Sequence, residues 1–318
     1  MKVNIIARTN GVGLDRDVDL INSTLSSAEG FNVTVSHYRS ISLLRRLFPA
    51  PQQYDINIFL ERVYPRWFGS ASANILIPNQ EHFPHRLIGS LKHIDHILCK
   101  SRHASEIFET HHQSVHFTSF TSTDLLDEDV TPDYQKFLHL AGRSTQKGTA
   151  TLLELWKKKP SWPTLTIVQC KENAPDKVPD NIRLITDYIP HEEIKNLLNS
   201  HGVHLCTSSS EGWGHYIVEA MSCKALVITT DGPPMSEIIS PERGVLVPWH
   251  RQEPRHLGID WHIDPDKLEQ NINELLLMPV EKKQLYGQKA REWFDTNHLK
   301  FSKCLPEVIS QLFTKDSL

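Results

Sequence analysis

The feature that most constrains this chain is a rhythm: short apolar, β-branched runs alternate with helix-like segments, first over one stretch and then again over a second. The runs KVNIIA (2–7), FNVTVSHY (31–38), YDINIFL (54–60), ANILIPN (73–79), HIDHILCKS (93–101) and SVHFTSF (114–120) read as strands, with helical segments between them. A polar, acidic interval, TSTDLLDEDVTPDY (121–134), interrupts the pattern. It then resumes with KFLHLAGRS, a helix through TATLLELWKK, and the strands LTIVQC (165–170) and NIRLITDY (181–188). A helix HEEIKNLLNS, the strand GVHLCTSSS (202–210), another helix and the strand ALVITT (225–230) follow. From about Pro265 the sequence is helical and amphipathic. Strands that alternate with helices build parallel sheets covered on both faces. Two such blocks in 318 residues exceed what one core usually fills. The expectation is therefore α/β, with two Rossmann-like domains facing a cleft: 1–125, a linker at 126–137, and 138–290. The last helices, 291–318, carry Trp293 and Phe294 as apolar anchors for packing back toward the first domain. In open sheets of this kind, ligands bind at the carboxyl ends of the strands.

Charge and cysteine usage exclude several function classes. A formal net charge of -4 argues against general affinity for nucleic acid, though not against a local basic patch. Five cysteines, at 99, 170, 206, 223 and 304, are odd in number and lack C-x-x-C spacing. They read as reduced, mostly buried thiols in a cytoplasmic protein rather than a disulfide framework or zinc site. The start, MKVNIIARTNGVG, turns polar too soon for a signal peptide, and no apolar run reaches membrane-spanning length. Asp15-Arg16-Asp17 mimics an Asp-x-Asp metal motif, but it falls in the first turns of a helix, where acidic residues are simply favourable. His111-His112 and HEEIK lack a histidine pair at i, i+4, so zinc is not supported.

The stretch SSSEGWGHYIVEAMS (208–222) carries the chemistry. Read physically, a strand ends at the serines, Glu211-Gly212-Trp213-Gly214 is the turn, and a helix starts near His215. Gly212 and Gly214 let the backbone approach a ligand and expose the helix's first N–H groups, which attract phosphate. Glu219 lies inside the helix, among residues Ile217, Val218, Ala220 and Met221 that should face the core. A carboxylate there needs solvent or hydroxyl donors. A sugar nucleotide supplies hydroxyls for the carboxylates and a diphosphate for the helix terminus. Upstream, Arg143 and Lys147 stand before a helix start, where cations oppose the helix dipole and so invite an anion.

The segment TSSSEGWGHYIVEAMSCKALVITTDGPPMSEII resembles the signature of retaining glycosyltransferases of the GT-B fold, glycosyltransferase family 4 type. Seven residues separate Glu211 from Glu219, and Glu237 takes the later acidic place. LAGRSTQKGTATLLELW (140–156) resembles the opening of that family's second domain. The resemblance covers most of 140–240 and is much weaker over 1–120. It implies transfer of a sugar from a nucleotide-diphosphate donor to an acceptor hydroxyl, with retention and without a bound metal or other cofactor. Arg143 and Lys147 would neutralise the diphosphate, Glu211 would hold hydroxyls of the transferred sugar, and Glu219 those of the ribose. The turn at Tyr188 and Ile189 would contact the base, and the backbone of 212–214 would meet phosphate or sugar.

Departures from the family pattern mark where this chain differs. The family often places four residues between its Arg and Lys; here there are three. Trp213 replaces the usual Phe, and Cys223-Lys224 stands where a small residue and Gly are common. Where many members carry a histidine after a strand of the first domain, this chain has Asn79, followed by Glu81 and His82 as candidates for contacts to sugar or acceptor. Asn10-Gly11-Val12-Gly13 lacks the third glycine of a dinucleotide fingerprint, its place being taken by Arg16. That leaves Gly13 either beside the diphosphate or in a plain tight turn. The segment YRSISLLRRLF (38–48) reads as a packed helix or as an amphipathic helix touching an anionic membrane. Alternatives to transfer are a non-catalytic nucleotide-sugar binding protein, or an epimerase or hydrolase on the same fold. Donor base, sugar and acceptor are not specified by these residues.

Overall fold

The structure is a computed structural model that describes residues 1–8, 13–40 and 52–315. Gly11, Val12 and most of the 38–48 segment lie outside the described residues. By internal contacts the chain divides into two units, Met1–Thr123 with Pro254–Gly258 and Asn297–Leu318, and Asp124–Glu253 with Ile259–Thr296.

The first unit is built on β1 (Lys2–Ala7), α1 (Gly13–Ser26), β2 (Asn32–His37), β3 (Tyr54–Glu61), β4 (Ala71–Pro78), β5 (His96–Cys99), α2 (Arg102–Glu109) and β6 (Val115–Phe117). Its six strands run parallel in the order β2-β1-β3-β4-β5-β6. Asn4, Asn57 and Asn74 stand at one register across β1, β3 and β4. Buried amides need partners, and Asn57 Nδ2 donates to the Trp67 carbonyl at 2.9 Å and to Asn74 Oδ1 at 3.0 Å. The connections flanking β4 are 3-10 turns (Pro65–Ser70, Gln80–His82, His85–His93) rather than α-helices. Prolines at 65 and 84 and the anchoring of 67–70 by Asn57 explain the tight winding.

The second unit comprises β7 (Asp133–Gly142), α3 (Thr149–Lys158), β8 (Leu165–Gln169), β9 (Ile182–Ile185), α4 (His191–Ser200), β10 (His201–Cys206), α5 (His215–Ser222), β11 (Leu226–Thr230), α6 (Met235–Ile238) and β12 (Gly244–Val247). A hairpin of β13 (Trp249–Arg255) and β14 (Gly258–Ile263) and the helix α7 (Pro265–Leu277) follow. The six parallel strands take the order β12-β11-β10-β7-β8-β9. Phe137, Trp156, Leu205 and Ile228 lie in one large apolar cluster of this unit. β7 begins at Asp133, inside the stretch read as linker, and the division between units falls after Thr123. β12 and the hairpin went unrecognised in the sequence.

The chain ends in one helix, α8 (Val280–Lys315). Trp293 and Phe294 fall in the part grouped with the second unit, where the Arg243 guanidinium lies 5.2 Å from the centre of the Trp293 ring. The anchors within the first unit are instead Asn297, whose Nδ2 donates to the Phe120 carbonyl at 2.6 Å, and Phe301, 4.8 Å from the Phe120 ring. All five cysteines are free, with Cys99, Cys206 and Cys223 buried. Among the described residues no helix is long and apolar enough to cross a membrane.

Candidate functional site

In the second unit two loops meet at the carboxyl ends of neighbouring strands, β7 and β10, which is the switch point where open sheets bind ligands. The first loop runs from Gly142 to Gly148, which adopts φ +73 just before α3. A side chain at 148 would collide with the Thr207 carbonyl. That close approach lets the loops bond to each other: Thr207 Oγ1 donates to the Lys147 carbonyl at 2.8 Å, and the Ser209 amide to the Gln146 carbonyl at 2.9 Å. Beneath them His139, fully buried on β7, bridges the Leu205 carbonyl at 2.7 Å and Thr149 Oγ1 at 2.9 Å. Burial pushes its imidazole down to about 4, so it is neutral at pH 7.

This fastening sets Lys147 against Glu211, with Nζ 2.7 Å from Oε1. Nζ also lies 3.2 Å from the centre of the Tyr216 ring. Ser208 Oγ donates to Glu211 Oε1 at 2.7 Å, so the 2.6 Å contact between Ser208 Oγ and the Tyr216 hydroxyl has the tyrosine as donor. The Ser208 amide in turn donates to the Tyr216 oxygen at 3.1 Å. Burial raises Tyr216 well above the usual phenol range, which keeps it protonated and donating. Glu211 is thus held from two sides, by a cation and by a hydroxyl relay.

Gly214 adopts φ +98 and opens α5 with no side-chain cap on its first N–H groups. The helix is buried from Tyr216 to Ser222, Glu219 included. Trp213 is buried as well. The turn that follows α5 contains Lys224 at φ 59, where the family pattern has glycine. Its carbonyl accepts from the Tyr134 hydroxyl at 2.6 Å.

The remaining expected residues are spread more widely. Arg143 shares the first loop but its side chain is exposed, while its carbonyl accepts from Asn173 Nδ2 at 2.9 Å. Tyr188, 92% exposed, and Ile189 follow β9, two strands away from β7. In the first unit, Gly13 opens α1 and Asn79 follows β4, its Oδ1 accepting from Lys100 Nζ at 2.9 Å. Lys100 is buried and also pairs with Asp17 at 2.5 Å, so the second aspartate of the metal-like triplet serves as the partner of a lysine. Glu81 is buried, 3.9 Å from His82. Burial is the main cause lowering the His82 pKa, joined by Arg255, Arg62 and His256 and opposed by Glu61.

Sequence reasoning missed Ser208, Tyr216 and the Lys100–Asp17 pair. A serine that opens a Ser-Ser-Ser run, eight residues before a tyrosine, was the available signal for the relay. For Lys100 and Asp17, 83 positions apart, there was none.

A family model described as "Glycosyl transferases group 1" matches residues 177–293, which contain Glu211, Glu219 and Glu237. No curated relative matches the chain by sequence. Among solved structures, the HepE protein of Anabaena, in complex with UDP and glucose, is 13% identical with a TM-score of 0.73, covering 98% of this chain and 100% of its own. Sucrose-phosphate synthase from Thermosynechococcus elongatus is 14% identical, with a TM-score of 0.73 and 99% of each chain covered. A glycosyltransferase from Rickettsia africae is 14% identical, with a TM-score of 0.72 and 98% of each chain covered. The two parallel six-stranded sheets with their helices therefore define a GT-B fold.

Proposed function

We propose that the protein is a retaining, metal-independent glycosyltransferase of the family 4 type. It would move a sugar from a nucleotide-diphosphate donor to an acceptor hydroxyl. The observation that carries this reading is the Lys147–Glu211 pair, set by the two fastened loops at the mouth of α5. A cation and an uncapped helix N-terminus make a diphosphate site, and a carboxylate beside them makes a sugar-hydroxyl site. The complexes of HepE with UDP and with UDP-glucose support the same ligand class.

The mechanism follows from charge. As the glycosidic bond breaks, negative charge grows on the departing diphosphate, and Lys147, Arg143 and the 212–214 backbone stabilise it without a metal. Its oxygen takes the proton from the acceptor hydroxyl on the same face of the sugar, which gives retention. Glu211 leaves Lys147 for the sugar hydroxyls when the diphosphate arrives, and Glu219 holds the ribose. Asn79, Glu81 and His82 lie on the acceptor side, and Tyr188 and Ile189 flank the base.

The test is thermal shift or ligand-detected NMR over UDP-, GDP-, ADP- and dTDP-sugars in the presence of a chelator, followed by a product assay. Stabilisation by one donor, lost in Glu219→Ala, is the expected result. No binding by any donor, with the protein folded, would overturn the reading. Turnover of the donor without an acceptor would favour the epimerase or hydrolase alternative.

A further inference from the structure

The β13–β14 hairpin has no part in the transfer as described above, yet its second strand grips the loop that carries Glu211. The Trp261 amide donates to the Ser209 carbonyl at 2.7 Å, and Ser210 Oγ donates to Asp260 Oδ1 at 2.6 Å. Two consecutive residues of β14 thus hold the two residues immediately before Glu211. The hairpin is itself anchored on its far side. Trp261 is buried, its Nε1 donates to the Pro233 carbonyl at 3.0 Å, and its ring occupies the space a side chain at Gly232 would need. Trp249 lies against it with ring centres 5.0 Å apart. On its other face the same loop is bonded to Gln146 and Lys147. The stretch Thr207–Glu211, held from both sides, cannot re-aim its last side chain without breaking one of the holds.

We infer that Asp260 and Trp261 are positioning residues of the donor site: they fix the main chain at Ser209 and Ser210, and so the direction in which Glu211 leaves it. The inference rests on the reading of Glu211 as the sugar-holding carboxylate. It also says where the effect stops. Lys147 and Arg143 belong to a different loop, so loosening β14 weakens the grip on the sugar more than the grip on the nucleotide.

A double-mutant cycle tests this. Affinities for UDP and UDP-glucose are measured by calorimetry for the full chain, Asp260→Asn, Glu211→Ala and the double variant. Asp260→Asn should lower the preference for UDP-glucose over UDP by about tenfold, because the charge-assisted hydrogen bond from Ser210 becomes a weaker neutral one, with UDP affinity unchanged or tighter. In the Glu211→Ala background it should have no further effect. Equal loss for UDP and UDP-glucose, or the same loss without Glu211, overturns the inference. A second arm needs no ligand: amide hydrogen exchange at 209–212 should accelerate in Asp260→Asn, which weakens the bond, and more in Ser210→Ala, which removes it from the loop side. Unchanged exchange there overturns the inference even if neither nucleotide binds. Failure of both nucleotides to bind the unaltered protein means that the donor is another nucleotide sugar of the panel above, and the exchange arm alone then decides the role of Asp260. Should Asp260→Asn fail to fold, Ser210→Ala carries both arms.

Discussion

Lys147 Nζ lies 2.7 Å from Glu211 Oε1, so the cation that would meet a diphosphate in the proposed reaction is neutralised by the carboxylate that would hold the sugar. Both side chains are largely buried, which makes the pair stronger than an exposed one. A diphosphate must compete with Glu211 for Lys147. Glu211→Gln should therefore tighten UDP binding by roughly fivefold, about 1 kcal/mol, while abolishing transfer. Lys147→Met should weaken UDP binding at least tenfold. Titration calorimetry separates the two, and weaker UDP binding by Glu211→Gln would sink the competition.

Gly148 should tolerate no side chain. Alanine would be strained at φ +73 and would collide with the Thr207 carbonyl. A loss of about 1–3 kcal/mol in stability is expected, together with weakened UDP binding, because Lys147 is the adjacent residue. Chemical denaturation and calorimetry of Gly148→Ala check both, and intact UDP affinity would disconnect the turn from the site.

Acid should destabilise the protein earlier than its carboxylates alone would. Burial holds His139 at about 4 and His204 at about 3. Above the ordinary histidine value of about 6.5 both are neutral, folded or unfolded, and contribute nothing to pH dependence. Below it the unfolded chain takes up protons that the folded chain refuses, so stability falls by about 1.4 kcal/mol per pH unit for each histidine. The decline should start near pH 6.5 and persist until the folded values are reached. Glutamine at 204 should remove one histidine's share of the slope. Unaltered slope in His204→Gln, followed by denaturation between pH 7 and 5, would contradict the assignment.

Lys100→Met should cost about 3–5 kcal/mol, because it leaves Asp17 buried without its cation. Adding Asp17→Asn should recover most of the loss. An additive double variant in urea unfolding would show that the two residues act independently.

Lys224→Gly should stabilise. Lysine at φ 59 pays a steric penalty that glycine avoids, and the Tyr134 hydroxyl keeps the carbonyl in place in either case. A gain of up to about 1 kcal/mol, or a midpoint higher by about 2–4 °C, is expected.

Much of this was readable from the residues because it depends on local pattern. Short apolar, β-branched runs marked most of the strands and the helix-like segments between them most of the helices, and the glutamates around Gly-Trp-Gly lie within one loop and one helix. What escaped depends on partners distant in sequence or on segments without pattern. Lys100 and Asp17 meet only through the fold. The hairpin strand WHRQEPR is exposed along most of its length, so no apolar run marks it, and it contains Pro254, a residue that strands disfavour. The 3-10 turns around β4 replace the expected helices because the Asn57 network draws residues 67–70 inward.

The burial of α5 has a consequence for anyone seeking to change what the protein accepts as donor. Its residues from Tyr216 to Ser222 are all enclosed, so larger or smaller side chains there alter packing before they alter recognition. Variation that survives selection should concentrate in the exposed turn at Tyr188, where shape can change without emptying or overfilling the core. A library confined to that turn explores the proposed donor preference at little risk to folding, and one centred on α5 mostly yields unfolded protein.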